Sequence, residues 1–332
     1  MLAPLKLAAG QAWAAWRRYP ALRRSLAAVP AGPPILVTGM YRSGTTWVGA
    51  MLAPAGLWSL HEPFNPNQGL WDAELAYARS DRSRPRIDAL VEDLLRGRHR
   101  RVLRLPSAGR WFTPLRVFPH APRRILVKDP SAALLTEYLV RRHGARALVV
   151  WRHPAAVVSS FLRLGWPTHR LVARLLADAE LMEDWLGAHA ATLETALARA
   201  DARTGAVLYG AVAAALLGFQ RRNPQSISRL AFEDLCGDPG TAFRALFAAL
   251  DLPYDEGVAK EHARLTSGAR GAERPHGVVR ASATLPDRWR AELPPAERDA
   301  VREAWEGFDL PLYREAVDWT AGEPGPESGA PR

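Results

Sequence analysis

Residues Gly39-Met40-Tyr41-Arg42-Ser43-Gly44-Thr45-Thr46-Trp47 set two glycines at G-x4-G spacing, with a guanidinium between them and two hydroxyls behind. The chemistry of such a loop is oxyanion binding, because the glycines let the backbone curl until several N–H groups converge and the arginine adds charge-assisted hydrogen bonds. A nucleotide triphosphatase carries a lysine directly after the second glycine, where this chain has Thr45. A γ-phosphate would lack its usual ammonium partner, which moves the chain out of the ATP-hydrolysing class.

Arg152, Pro154 and Ser160 spell a second anion site. Pro154 suits the first turn of a helix, where a missing N–H costs nothing. Arg152 then lies just before that helix and Ser160 about a turn and a half into it, so both can reach one phosphate. Lys128 stands out by composition. The chain has 44 Lys plus Arg, yet its only lysines are Lys6, Lys128 and Lys260. Arginine serves nearly everywhere a cation is wanted, so a compact ammonium kept at Lys128 suggests a point charge aimed at one developing oxyanion.

These residues need carriers. Ile35–Thr38 reads as a buried strand and Thr45–Leu52 as a helix, so the first loop sits where strand gives way to helix and the helix dipole favours an anion. Leu57–His61, Arg124–Lys128, Arg146–Trp151 and Ser226–Phe232 read as further strands. Helices are predicted over 131–142, 154–163, 170–198, 204–221 and 295–306. Arg152 and Lys128 both fall at strand carboxyl ends, where open α/β sheets bind ligands.

The stretch Tyr41-Arg42-Ser43-Gly44-Thr45-Thr46-Trp47 resembles the 5′-phosphosulfate-binding loop of sulfotransferases that use 3′-phosphoadenosine 5′-phosphosulfate (PAPS), and Arg152 to Ser160 is similar to that family's 3′-phosphate element. The resemblance extends over most of residues 33 to 313. It implies an α/β fold with a parallel, P-loop-like sheet, one domain with helical insertions, and transfer of a sulfuryl group from PAPS to a hydroxyl or amine with release of 3′,5′-ADP. No metal is implied. By the same resemblance Arg42, Ser43, Gly44, Thr45, Thr46 and Trp47 bind the phosphosulfate, Arg152 and Ser160 the 3′-phosphate, and Lys128 assists the leaving bridge oxygen, with Arg42 as a second catalytic cation that stabilises its charge. The Gly- and Arg-rich run from Thr266 to Arg280 falls where the family places a loop over the nucleotide, making Arg280 and Ser282 expected contacts, although the Arg-Lys-Gly signature of the cytosolic branch is missing. Phe232 replaces the tyrosine of a Tyr-Glu-Asp-Leu element and is read as a core aromatic.

The general base depends on the branch. Cytosolic phenol and steroid enzymes use a histidine two residues after the strand-end lysine, and Pro130 stands there instead. The carbohydrate-type branch has a Glu-Pro pair after the second strand, which Glu62-Pro63 matches. That resemblance implies Glu62 as the base, with His61 and Asp129 as alternatives, and tilts the acceptor toward a sugar, a glycan or a glycosylated metabolite.

With 332 residues and 48 % apolar composition the chain can bury one large core. We divide it into a basic amphipathic segment (1–32), a sulfotransferase-like domain (33–319) and a tail expected to be disordered (320–332). The formal charge of +10 attracts anions, but no helix-turn-helix, zinc or RNA-reading signature accompanies it, so no specific nucleic acid is expected. Cys236 is the only cysteine, which excludes an internal disulfide and fits a reducing, cytoplasmic setting. Thr204–Gln220 is too short for a comfortable membrane span and reads as a buried helix. Residues 5–29 could touch an anionic membrane weakly through their basic amphipathic pattern. Residues 79–124 hold 13 arginines against four acids, with Trp111 and Phe112 among them, and are an acceptor-site candidate. Two rival readings are an atypical P-loop kinase, which lacks its lysine, and a non-catalytic nucleotide-binding module, which would yield no sulfated product.

Overall fold

The computed structural model describes residues 32–66, 73–95, 124–199, 201–268, 285–315 and 319. Short, uniformly apolar runs need cover on both faces, and here they form an all-parallel sheet wrapped by helices. In chain order the elements are β1 (Ile35–Gly39), α1 (Thr45–Leu52), β2 (Trp58–His61), α2 (Pro85–Leu95), β3 (Ile125–Lys128), α3 (Thr136–His143), β4 (Arg146–Trp151), α4 (Pro154–Leu164), α5 (Thr168–Ala177), α6 (Ala190–Arg199), α7 (Ala202–Arg222), β5 (Ile227–Ala231), α8 (Phe232–Gly237), α9 (Pro239–Ala249), α10 (Glu256–Thr266), α11 (Arg288–Glu292) and α12 (Pro295–Glu306).

The five strands lie in the order β2-β3-β1-β4-β5. β1 is central, with Ile35–Val37 against Leu126–Lys128 on one side and Ile35–Gly39 against Arg146–Val150 on the other. His61 is in register with Lys128. The chain runs outward from β1 to β2, then crosses back to β4, so the carboxyl ends around β1 form a topological switch point of the kind that binds ligands.

Alternation along β1 and β4 splits the core into two layers. Leu36, Ala147, Val149 and Trp151 face one, with α4, α5, α7 and α12; Ile35, Val37, Leu148 and Val150 face the other, with α1, α9 and α10. α7 is the one described helix long and apolar enough to cross a membrane, and 89 % of its most apolar window is buried inside the protein.

Two predicted helices differ from the expectation. The single helix over 170–198 is interrupted at Asp178, whose extended backbone ends α5 and whose carboxylate accepts from the N–H groups of Leu181 (3.1 Å) and Tyr77 (3.3 Å). A short turn, a π-helical stretch (Met182–Leu186) and a 3₁₀ turn follow before α6. The helix over 131–142 starts as a 3₁₀ turn, Pro130–Leu135, capped by Asp129. Most of the amphipathic N-terminal segment, Trp111 and Phe112, Arg280 and Ser282, and the tail from residue 320 lie outside the described residues.

Candidate active site

The loop after β1 takes its shape from close approaches that only glycine allows. At Gly39 (φ 142°) a Cβ would come within 2.4 Å of the Val150 carbonyl oxygen, and at Gly44 (φ 104°) within 2.4 Å of the Phe232 ring. Between them Arg42 adopts a left-handed φ of 68°. The Ser43 N–H closes the turn on the Met40 carbonyl (3.1 Å), and α1 begins at Thr45 with no side-chain cap. The N–H groups of Thr45 and Thr46 therefore have no intrahelical acceptor, and the first to find one is that of Trp47, on the Gly44 carbonyl (3.0 Å). The Ser43 hydroxyl is fully buried without a hydrogen-bond partner among the described residues. Thr45 is buried at the helix start, and Thr46 beside it is half-buried.

β2 and β3 end side by side, and the residues following them interlock. Glu62 turns back with φ 53° as its N–H donates to the Lys128 carbonyl (2.7 Å). Lys128, only 3 % exposed, pairs through Nζ with Glu62 Oε1 and donates to Thr46 Oγ1 (3.0 Å). The other carboxylate oxygen of Glu62 accepts from Asn65 Nδ2 (2.6 Å), and His61 Nε2 lies 3.6 Å from Oε1. The sheet, the anion loop and the candidate base thus meet through one ammonium.

Burial pushes the Glu62 carboxyl up, but the charges of Lys128 and His61 and the hydrogen bonds from Lys128 and Asn65 outweigh it and hold the group at about 2. Burial pulls Lys128 below its ordinary range, against the opposing pull of Glu62. A carboxyl depressed on folding adds stability that is complete above its unfolded value of 4.5 and is lost as pH falls toward 2.

Asp129 behaves differently. Its carboxylate is wholly buried and accepts from the N–H groups of Phe64 (2.5 Å) and Ser131 (2.8 Å), and Thr38 Oγ1 donates to its carbonyl (2.8 Å). Burial, then the charge of Glu62, pushes it up to about 7. The group fastens the turn that carries Glu62 to the end of β3. Asp129→Asn puts an amide NH₂ against one of the two backbone donors, and we expect a loss of about 1 to 3 kcal/mol in stability, read as a lower midpoint in chemical denaturation. An unchanged midpoint would remove Asp129 from this bracing role.

On the β4 side, Arg42 Nε donates to Ser160 Oγ (2.9 Å). Arg152 spends its two terminal nitrogens on backbone carbonyls, Nη1 on Arg42 and Nη2 on Leu285 (3.1 Å each), with its guanidinium 4.6 Å over the Phe232 ring. Its Nε is buried without a hydrogen-bond partner among the described residues. Arg152 and Ser160 are therefore joined through Arg42, one by its carbonyl and the other by its side chain.

Trp47 is set apart from the other loop residues. Its indole packs edge-on against Phe232 (5.7 Å) and Phe243 (5.4 Å) in the core, 3 % exposed. Phe232 is likewise core, as expected from sequence.

Three contributors, Tyr209, Tyr313 and Asn65, escaped the sequence reading, and a fourth, Glu233, entered it only as part of the Tyr-Glu-Asp-Leu-like element. Tyr209, in α7, accepts from the Arg152 N–H (3.1 Å) and donates to its carbonyl (3.0 Å). Glu233 accepts from the His153 N–H (2.8 Å) and the Tyr313 hydroxyl (2.9 Å), steadying the same strand end. Neither tyrosine carries any local signal. Asn65 does, because a side-chain donor three residues after a turn-forming glutamate can fold back on it.

Among solved structures the chain is similar to three described as follows. The sulfotransferase domain from the Synechococcus PCC 7002 olefin synthase is 19 % identical, with 85 % of this chain and 96 % of that one covered and a TM-score of 0.45. The sulfotransferase domain from the curacin biosynthetic pathway is 18 % identical, with coverage of 84 % and 98 % and a TM-score of 0.47. Sulfotransferase STF9 from Mycobacterium avium is 15 % identical, with coverage of 90 % and 82 % and a TM-score of 0.41. No curated protein sequence gives a significant match. These likenesses are distant, and the assignment rests on a family model described as "Sulfotransferase family" that matches residues 33–256. That span is more than half of the chain and holds every described strand, so the chain belongs to the sulfotransferase family.

Proposed function

We propose that the protein moves a sulfuryl group from PAPS to a hydroxyl or amine of a small-molecule or glycan acceptor and releases 3′,5′-ADP. The observation that carries this reading is the Lys128 ammonium, bonded at once to Thr46 at the start of α1 and to Glu62 after β2. It ties an anion-binding loop to a base through a single buried charge. The donor set suits a polyanion: Arg42, Lys128 and Arg152 supply positive charge, and the buried Ser43 hydroxyl and Arg152 Nε are available for further bonds. The reading assigns no metal.

Bound PAPS supplies a sulfuryl group on a phosphosulfate bridge, whose S–O bond breaks with the electron pair left on the bridge oxygen as a new bond from sulfur forms to the acceptor's oxygen or nitrogen. Lys128 donates a hydrogen bond where that negative charge develops. The N–H groups at the start of α1, with Arg42, Ser43, Gly44, Thr45 and Thr46, hold the anionic end, and Arg152 and Ser160 serve the 3′-phosphate. The Glu62 carboxylate takes the proton from the acceptor. Paired with Lys128 it is a feeble base, so the lysine's departure toward the bridge oxygen is what gives it strength. Trp47 supports the loop from below, and Arg280 and Ser282 complete the nucleotide contacts in this reading. The Glu62-Pro63 pair and the arginine-rich segment that follows favour an anionic or carbohydrate acceptor.

The test is incubation with isotopically labelled PAPS and an extract of the source cells, followed by mass spectrometry. We expect a labelled sulfate adduct together with 3′,5′-ADP. Binding of the nucleotide with neither product would favour a non-catalytic module.

A further inference from the structure

The two oxygens of Glu62 have different partners. Oε1 is held by the Lys128 ammonium, which in the proposed reaction leaves it for the donor, and Oε2 by the neutral amide of Asn65 at 2.6 Å. The turn that carries both residues is fastened independently of that amide: the Asn65 N–H donates to the Glu62 carbonyl (3.1 Å), the Glu62 N–H to the Lys128 carbonyl (2.7 Å), and the Phe64 N–H to Asp129 (2.5 Å). The Asn65 side chain is thus not needed to close the turn, and its hydrogen bond to Oε2 acts directly on the carboxylate.

We propose that Asn65 is the positioning residue for the Glu62 base, retaining Oε2 while Lys128 is exchanged onto the donor, so that Oε1 is presented to the acceptor without swinging free. The inference rests on the PAPS reading for its role in turnover. A carboxylate released at both oxygens could rotate among several rotamers, and each unproductive one would lower the fraction of complexes ready to take the proton. A neutral donor suits the task. A second cation at Oε2 would keep the base weak after Lys128 has gone, whereas an amide orients it at modest cost to its basicity. Among the described residues the charged and titratable groups around Glu62 are Lys128 and Asp129 from the end of β3, His61 from β2 and Tyr41 from the loop after β1.

Asn65→Ala keeps the backbone N–H that closes the turn but removes the donor to Oε2. We expect kcat to fall about 10-fold or more with the KM for PAPS nearly unchanged, the loss being that of one hydrogen bond to a charged group. Because the lost bond favours the ionised form, the acid limb of kcat should move to higher pH by about one unit. Asn65→Asp, which sets a second carboxylate beside the first, should move it further. A readout independent of turnover is the ¹³C shift of the Glu62 carboxyl in the ligand-free protein, followed from pH 7 downward. The wild-type signal should stay that of a carboxylate to lower pH than the signal of Asn65→Ala. A limb and a titration that both stay at their wild-type positions in Asn65→Ala would overturn the proposal, even if the variant were less stable. If instead the carboxyl titration moves as expected but the wild type transfers nothing from PAPS, the Asn65–Glu62 coupling stands and the sulfuryl-transfer reading is what fails.

Discussion

Replacing Glu62 by glutamine is expected to lower turnover by about 10² to 10⁴-fold while leaving donor affinity nearly unchanged. Glutamine keeps the length and most of the hydrogen bonding of the native side chain but cannot accept a proton at Oε1. Donor binding should be unaffected or slightly tighter, since the substitution removes a negative charge from the site and leaves Lys128 with a neutral, weaker partner in place of the carboxylate. The pH profile gives the sign. Wild-type activity should fall as pH drops through the carboxylate's pKa in the complex, and the residual activity of Glu62→Gln should lack that limb. In the free protein the carboxyl sits at about 2, so the limb in the complex should lie higher, by the amount that losing Lys128 relieves. Near-normal turnover in Glu62→Gln, with activity abolished in a folded His61→Ala variant, would transfer the role to His61, 3.6 Å away, and weaken the case for a carbohydrate-type acceptor.

Lys128→Ala should cost about 10² to 10³-fold in turnover, the magnitude seen when a donor aimed at developing charge is removed, while 3′,5′-ADP still binds. Lys128→Arg should recover only part of the loss. The lysine stem lies tight against α1, where even a Cβ on Gly49 would come within 3.0 Å of its Cγ, and a planar guanidinium cannot place its charge where the ammonium sits between Thr46 and Glu62. Full activity in Lys128→Ala would reduce the residue to a counter-ion for Glu62.

Much of this site was legible in the order of residues alone, for a physical reason. Short apolar runs bounded by turn signals, such as Ile35–Val37 and Ala147–Val150, fit buried strands, and a glycine-hydroxyl loop between strand and helix suits an anion. What the sequence could not supply is contact between distant segments. Glu62 and Lys128 are 66 positions apart, and only the β2–β3 register brings them together. The sequence put Arg152 and Ser160 on one phosphate, but the structure inserts Arg42 between them, because the left-handed turn at Arg42 presents its carbonyl to one and its side chain to the other. Trp47 belongs to the loop motif by position but to the core by packing, since one turn of α1 is enough to rotate it beneath the loop. Asp178 lies inside the helix predicted over 170–198; its cap on Leu181 is local, but the second bond that holds it, from the Tyr77 N–H, comes from 101 positions earlier.

The central claim is that this chain uses PAPS, and PAPS differs from common adenylates by its 3′-phosphate. Calorimetric titration of the wild-type protein with 3′,5′-ADP and with 5′-AMP tests this most directly. A charge-assisted contact to the extra phosphate is worth roughly 1.5 to 3 kcal/mol, so 3′,5′-ADP should bind about 10- to 150-fold more tightly. Equal affinity for the two nucleotides would contradict the account.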